Sequence, residues 1–447
     1  MQNKKLVGLL MACVAMLLST TLLAQTTSTK NTYSIYSMYG IGEISAQGTL
    51  ATRSMGGAGL ASRSGASINL LNPASYSMAI PKGLLLDIGL EASYITNSQQ
   101  NGSSVSKSGY MAANLHNISL QVPIARGLGL GFSLSPYSSV GYYLNEYNTD
   151  KDLGIVAYNY TGSGDITEVK LGVGWQVVPR VSIGLSAQYY WGYLERYYSL
   201  SIYPITGSGS YSTALGLSGT YISKIKGQIG IQWDAILKDN KRLTLGATYD
   251  MGGRITPSED VIVTSGSDTD IVEISAVDDV AYPELKFPHQ YSVGVTYRDR
   301  KWHAALDYTY QSWSGNNTAL TTQGVSVAYT NVSMIKAGLE YTPNLFDTRK
   351  KLNRSSYRVG TRYSNYYQTF GGETLSQWCV TAGMGFPINI FGMSKLDVGV
   401  EYGGLGSMKS VSSGTSNLNL VKQNYFKLAV GVTLFGDDYW FQRIKYD

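Results

Sequence analysis

The sequence predicts an all-β protein: a 14-stranded antiparallel transmembrane β-barrel with an N-terminal luminal plug. Three observations carry this. Strict two-residue alternation of apolar and polar side chains recurs along the chain, which is the period of a strand between two different environments. Charged residues make up only 15% of the 447 residues, while Gly numbers 50 and Tyr 36, a balance that suits a wall with lipid on one side and a crowded lumen on the other. After the N-terminal leader, no uninterrupted apolar run reaches the ~20 residues that a membrane helix needs.

Residues 1–24 read as a secretory signal peptide. Lys4 and Lys5 supply the charged start, Leu6 to Leu23 the apolar core, and Ala24 the small residue before Gln25. Ser19-Thr20-Thr21 breaks the apolar run, which argues against a single-pass anchor. The run continues past Cys13, which places cleavage near Ala24 and not at a lipoprotein site. Cys379 is then the one mature cysteine, so an intrachain disulfide is excluded and a small hydrophobe on a strand is expected.

Residues 25–80 are assigned to the plug. Its centre, Arg53 to Ala74, is rich in Gly, Ala and Ser and closes on Asn72-Pro73-Ala74. Gly56, Gly57 and Gly59 permit close backbone contact and positive φ. Pro73 fixes its own φ and pushes Asn72 toward an extended conformation. Such a segment suits packing inside something else better than folding alone.

The barrel is assigned to residues 81–435. In residues 168–177, Val169, Leu171, Val173, Trp175 and Val177 point one way, and Glu168, Lys170, Gly172, Gly174 and Gln176 the other. Residues 242–250, 396–403 and 427–434 alternate in the same way. About fourteen such segments are expected, at 83–96, 109–122, 127–147, 165–178, 181–203, 217–234, 242–254, 288–299, 301–313, 331–342, 355–368, 376–388, 394–406 and 422–435. Connections alternate short (Pro179-Arg180) with long (255–287, 314–330), as periplasmic turns alternate with extracellular loops. One short-side connection, 343–354, is longer and strongly basic. Residues 436–447 are expected to form a polar periplasmic tail.

Enzyme signatures are scarce, and a non-enzyme without cofactor or metal is expected. His116, His289 and His303 have no ligand partner at metal-site spacing; girdle or loop positions are expected for them. His116 and Ser119, three apart, should face opposite sides of a strand. Gly162-Ser-Gly164 and Gly371-Gly372 open no helix and carry no Gly-Lys-Ser/Thr ending, so both read as turns. Glu168, Glu340, Asp397 and Glu401 face the expected lumen, where ion pairs to the plug are expected. The net charge of +5 is diffuse and points to no nucleic acid. Pro136 lies inside an otherwise continuous strand segment, where proline removes a ladder hydrogen bond.

These residues carry a family resemblance. The small-residue stretch ending in Asn72-Pro73-Ala74 resembles the N-terminal hatch of the outer-membrane long-chain fatty-acid and aromatic-hydrocarbon transporters (FadL-like), in a Bacteroidetes-type member. Further similarity lies in Gly129-Leu-Gly131 leading to Pro136-Tyr137, in Pro288 to Arg298, in Trp302 to Ser314, and in Tyr357 to Tyr363, in the family's order. The tail after Phe435 departs from the family's terminal aromatic strand.

The resemblance implies passive uptake of hydrophobic small molecules, such as fatty acids, into outer-membrane lipid of a Gram-negative bacterium. It implies a gating role for Gly56, Gly57, Gly59, Asn72, Pro73 and Ala74. It also implies that the third strand kinks inward over Ser133 to Ser139, so that Ser135, Pro136 and Tyr137 flank a lateral opening. The barrel-assembly machinery is an expected partner. The alternative is a non-transporting barrel subunit of an outer-membrane complex for protein export or surface anchoring, held by a protein partner.

Overall fold

The computed structural model describes residues 30–437, except 82, 151–153, 205–212, 239–240, 256–257, 268–269, 277–284, 317–319, 323–324, 348, 389–393 and 414–415. The signal peptide, residues 25–29 of the expected plug and residues 438–447 of the expected tail lie outside the described residues.

Fourteen antiparallel strands form the barrel: β1 (Gly83–Asn101), β2 (Ser104–Ala125), β3 (Leu128–Asp150), β4 (Gly154–Val178), β5 (Val181–Tyr203), β6 (Thr213–Lys238), β7 (Lys241–Asp250), β8 (His289–Arg298), β9 (Trp302–Ser312), β10 (Val332–Tyr341), β11 (Ser356–Phe370), β12 (Glu373–Pro387), β13 (Lys395–Leu405) and β14 (Val421–Asp437). Each pairs with the next, and β1 closes on β14 from Gly83↔Asp437 to Gln99↔Val421. Closure removes the free sheet edges that lipid would not tolerate.

The period-2 pattern sorts the two faces as expected. Leu171 and Trp175 of β4 are 56% and 52% exposed on the outer face. Two aromatic bands bracket the outer apolar belt. Tyr291, Tyr308, Tyr363 and Tyr402 lie toward the long connections, and Trp175, Trp233, Trp302 and Tyr357 toward the short turns. Tyr and Trp suit this level because an apolar ring and a polar tip meet there.

Several strands run further than the sequence pattern suggested. β4 begins at Gly154, where 165 was expected, because Ile155, Val156 and Ala157 fall consecutively and the residues after them show no apolar alternation. Gly162-Ser163-Gly164, read as a turn, is therefore strand paired with Tyr142, Gly141 and Val140. Gly164 has φ +122°, and a Cβ there would meet the Tyr193 carbonyl at 2.1 Å. Gly371 and Gly372 do form the β11–β12 turn.

Residues 30–80 lie against the inner wall. The stretch 50–80 fills the half near the short turns, where inward glycines admit it. A Cβ at Gly360 would lie 2.1 Å from the Gly56 nitrogen, at Gly184 2.3 Å from the Ala74 nitrogen, and at Gly230 2.1 Å from the Asn72 side-chain oxygen. The backbones therefore approach more closely than any other residue allows. Residues 33–44 fill the other half, in an apolar cluster where Tyr36 and Ile41 pack with Trp313, Tyr367, Phe370 and Val421.

Candidate functional site at the β2–β3 seam

The barrel ladder is interrupted between β2 and β3. Their pairing ends at Ile118↔Leu134, although both strands continue toward the long connections. A β-bulge sits on each strand at this point. In β2, Gly89 of β1 faces Asn117 and Leu90 faces Leu115, so His116 is the extra residue. In β3, Pro136 faces Thr167 and Ser138 faces Ile166 of β4, so Tyr137 is the extra residue. Bulges bend a strand and sharpen its twist, and Pro136 has no N–H for β2 to accept. The strand does not end at Pro136; it continues to Asp150.

The N-terminal segment takes up the edge that β2 leaves. Glu43 and Ile44 pair antiparallel with Ser139 and Ser138 of β3. The Ser45 amide donates to the Tyr137 carbonyl at 2.9 Å, and Gln47 to the Pro136 carbonyl at 3.2 Å. Lys30 donates to the Tyr142 carbonyl, and burial lowers its pKa from the usual lysine value. On the β2 side, Asn114 donates to the Asn31 carbonyl at 2.7 Å, and the Tyr33 ring stacks on Tyr110 at 4.6 Å.

A cavity of about 420 Å³ occupies this seam. Glu91, Ser93, Tyr425 and Lys427 line it from the lumen side, and Leu115 and Trp191, exposed on the outer face, also line it. Residues from both faces of the wall thus line the cavity. A second cavity, of about 170 Å³, continues along the seam past Tyr33, Tyr110 and Tyr142. Three carboxylates, Glu43, Glu91 and Asp165, face the larger cavity against one cation, Lys427. Thr32 donates to Glu43, and Asn31 to Asp165.

The expected site residues separate into two groups. Ser135, Pro136 and Tyr137 all lie at the seam. Ser135 and Pro136 line the cavity, while the Tyr137 ring turns inward onto Tyr190 at 4.8 Å and Phe287 at 5.5 Å. Gly56, Gly57, Gly59, Asn72, Pro73 and Ala74 lie in the short-turn half instead. The three glycines have φ of +71°, +79° and +143°. The Gly59 amide donates to Asp307 at 2.7 Å. Asn72 accepts from the Ala74 amide at 3.0 Å and donates to the Ile231 carbonyl at 3.1 Å, which pins the Asn-Pro-Ala turn to β6.

Arg53 connects the two groups, a link that the sequence reading missed. It pairs with Glu91 at 2.5 Å and Glu401 at 3.6 Å, and meets His116 at 2.6 Å. Burial opposes its charge, but the two carboxylates outweigh burial and raise its pKa. Arg63 pairs with Asp234 at 2.9 Å. The other lumen carboxylates are paired chiefly within the wall, Glu340 and Asp397 with Arg358 and Glu168 with Lys170.

Two histidine expectations are corrected. The bulge at His116 shifts the strand period by one, so His116 and Ser119 are both buried on the inner face. His303 also faces inward, 3.0 Å from the Ser62 hydroxyl, so neither is a girdle or loop residue. His289, at the outer face, meets Tyr249 at 2.8 Å.

Among solved structures, the chain is similar to a Pseudomonas aeruginosa FadL homologue, at 12% identity and TM-score 0.60, covering 89% of this chain and 100% of that one. It is similar to the Pseudomonas putida toluene transporter TodX, at 14% identity and TM-score 0.54, covering 90% and 100%. It is also similar to the CymD monoaromatic hydrocarbon channel, at 14% identity and TM-score 0.54, covering 89% and 98%. At these identities the likeness establishes the FadL-like channel fold, a Gram-negative outer-membrane barrel architecture. No curated protein matches the sequence. The BamG family model matches residues 4–447, nearly the full length, and the chain therefore belongs to the BamG family.

Proposed function

We propose that the protein is a passive outer-membrane channel for hydrophobic molecules, with lateral release through the β2–β3 seam and residues 30–80 acting as its plug. The observation that carries this reading is the cavity of about 420 Å³, lined by lumen-facing Glu91 and outward Trp191, where the β2–β3 ladder is interrupted. That volume falls within the ~300–1,000 Å³ of ordinary ligand pockets. Each methylene moved from water into such a site gains about 0.8 kcal/mol, so an apolar chain drives its own capture. Glu91 is paired with Arg53 and Lys427; the other two cavity carboxylates, Glu43 and Asp165, oppose an anionic head and favour neutral ligands over ionised fatty acids. Loosening residues 33–44 opens the path from the long connections to the seam, while the glycine-bound half stays in place.

The test is uptake by cells producing wild type or Ser93→Trp, in which the indole fills the cavity. Uptake of a long-chain alkanol is expected to fall at least tenfold in the variant, and wild type is expected to prefer the alkanol to the corresponding fatty acid at neutral pH. Equal uptake by both proteins, with Ser93→Trp folded, would overturn the seam as a route.

A second reading, a non-transporting barrel subunit of an outer-membrane complex, is favoured by one observation. Residues 30–80 fill both halves of the lumen, with Arg53, Arg63 and the Tyr36 cluster holding them to the wall. Such a subunit retains a protein partner through purification and carries no apolar ligand.

A further inference from the structure

The β10–β11 connection, residues 342–355, is the basic short-side segment that the sequence pattern left unexplained. It carries an exposed apolar group on an ordered frame. Leu345, Phe346 and Leu352 are 55%, 86% and 60% exposed. Asp347 organises the frame: its carboxylate accepts from the Arg349 and Lys350 amides at 2.8 and 2.9 Å and from the Asn353 side chain at 2.5 Å. The Asn344 amide donates to the Asn353 carbonyl at 2.8 Å, which closes the loop on itself. These bonds lower the Asp347 pKa and commit the segment's one acid to its own turn. Arg349, Lys350 and Lys351 stay exposed beside the apolar group, with Arg354 half-buried.

We infer that this connection is a membrane-interface foot: Leu345, Phe346 and Leu352 enter the interfacial layer of the short-turn leaflet, and Arg349, Lys350, Lys351 and Arg354 bind anionic phospholipid headgroups. The inference goes beyond the channel reading and rests only on its membrane placement. Two further observations point to lipid as the occupant. The foot joins the outer face at the level of the lower aromatic band, where Tyr357 donates to the Leu352 carbonyl at 3.2 Å and Trp302 packs on Tyr341 at 4.5 Å. Positive charge also continues along the rim, in exposed Arg126, Arg180, Lys238, Lys241 and Lys301 at four of the five other short turns, the β12–β13 turn carrying no Lys or Arg. Cations spread over most of the rim complement a surface that surrounds the barrel, as a leaflet does, better than a partner docked at one place. Apolar side chains flanked by Lys and Arg are the usual composition of interfacial anchors.

The test uses the mature chain in vesicles of phosphatidylcholine, with or without phosphatidylglycerol. An environment-sensitive dye is attached to Phe346→Cys; native Cys379 is buried. A second protein carries the dye at Leu306→Cys, on the lipid-facing side of β9. The expected result is quenching of the Phe346→Cys dye by brominated lipid, stronger with phosphatidylglycerol. Replacing the four cations by Gln should weaken the phosphatidylglycerol preference by ~fivefold per cation removed. A Phe346→Cys dye that stays open to aqueous iodide in both vesicles, while the Leu306→Cys dye is quenched by brominated lipid, overturns the foot and leaves the barrel standing. If neither dye is quenched by lipid, the membrane placement itself fails. Protection seen only in native membranes assigns the surface to a protein and also overturns the proposal.

Discussion

The two halves of the lumen are filled by one continuous segment but held by different forces. In the short-turn half, residues 50–80 rest on glycine backbones and on charge: Gly56 against Gly360, Ala74 against Gly184, Arg53 between Glu91 and Glu401. In the half near the long connections, residues 33–44 are held by aromatic burial: Tyr36 lies 5.2 Å from Phe370, and its hydroxyl donates to the Val421 carbonyl. Backbone approach at a ring of glycines is a close fit that one added Cβ strains. Aromatic packing tolerates rearrangement at graded cost. On the proposed channel reading, this difference would let the seam-side half loosen while the other stays locked.

The largest effects should come from removing each half's main attachment. Phe370→Ala and Arg53→Ala should each cost about 3–5 kcal/mol, the first as a lost aromatic and the second as buried carboxylates left unpaired. Hydrogen exchange separates them: Phe370→Ala should expose residues 33–44 and leave 50–80 protected, and Arg53→Ala should do the reverse. The same exchange pattern in both variants would mean that the segment behaves as one unit.

Gly360→Ala should follow, at about 1–3 kcal/mol, because the added methyl meets the backbone at Met55 and Gly56. Urea unfolding in vesicles measures it, and a change below a few tenths of a kcal/mol would show that the glycine ring is not a tight fit.

The smallest effect concerns pH. Burial raises the Tyr36 pKa above the usual tyrosine value. A group with a raised folded pKa gives stability that is complete below the unfolded value, near 10, and is lost as pH rises beyond it. Tyr36→Phe should therefore flatten part of the loss of protection of residues 33–44 above pH 10. Identical alkaline profiles for wild type and variant would remove Tyr36 from the account.

The barrel was legible because fourteen lipid-facing strands must alternate, and lipid enforces that pattern at nearly every position of the wall. The seam was read from Pro136, whose chemistry announces a broken ladder. The partner bulge at His116 also leaves a trace that the reading passed over: the outward row Met111, Ala113, Leu115 resumes one residue out of phase as Ile118, Leu120, Val122. Arg53 was hidden for a different reason: its partners Glu91 and Glu401 lie 38 and 348 positions away, and only closure of the barrel brings them to one place. The extension of β4 back to Gly154 escaped because Ile155, Val156 and Ala157 fall consecutively and the Tyr, Asn, Thr and Gly after them set up no apolar alternation.

The channel reading stands or falls on mass spectrometry of small molecules retained by the protein purified from its own membrane, with Ser93→Trp in parallel. An apolar, uncharged ligand is expected in about stoichiometric amount in the wild type and is expected to be lost from the variant. A ligand-free wild type that instead keeps a stoichiometric protein partner would contradict the channel reading and establish the barrel as a subunit of a complex.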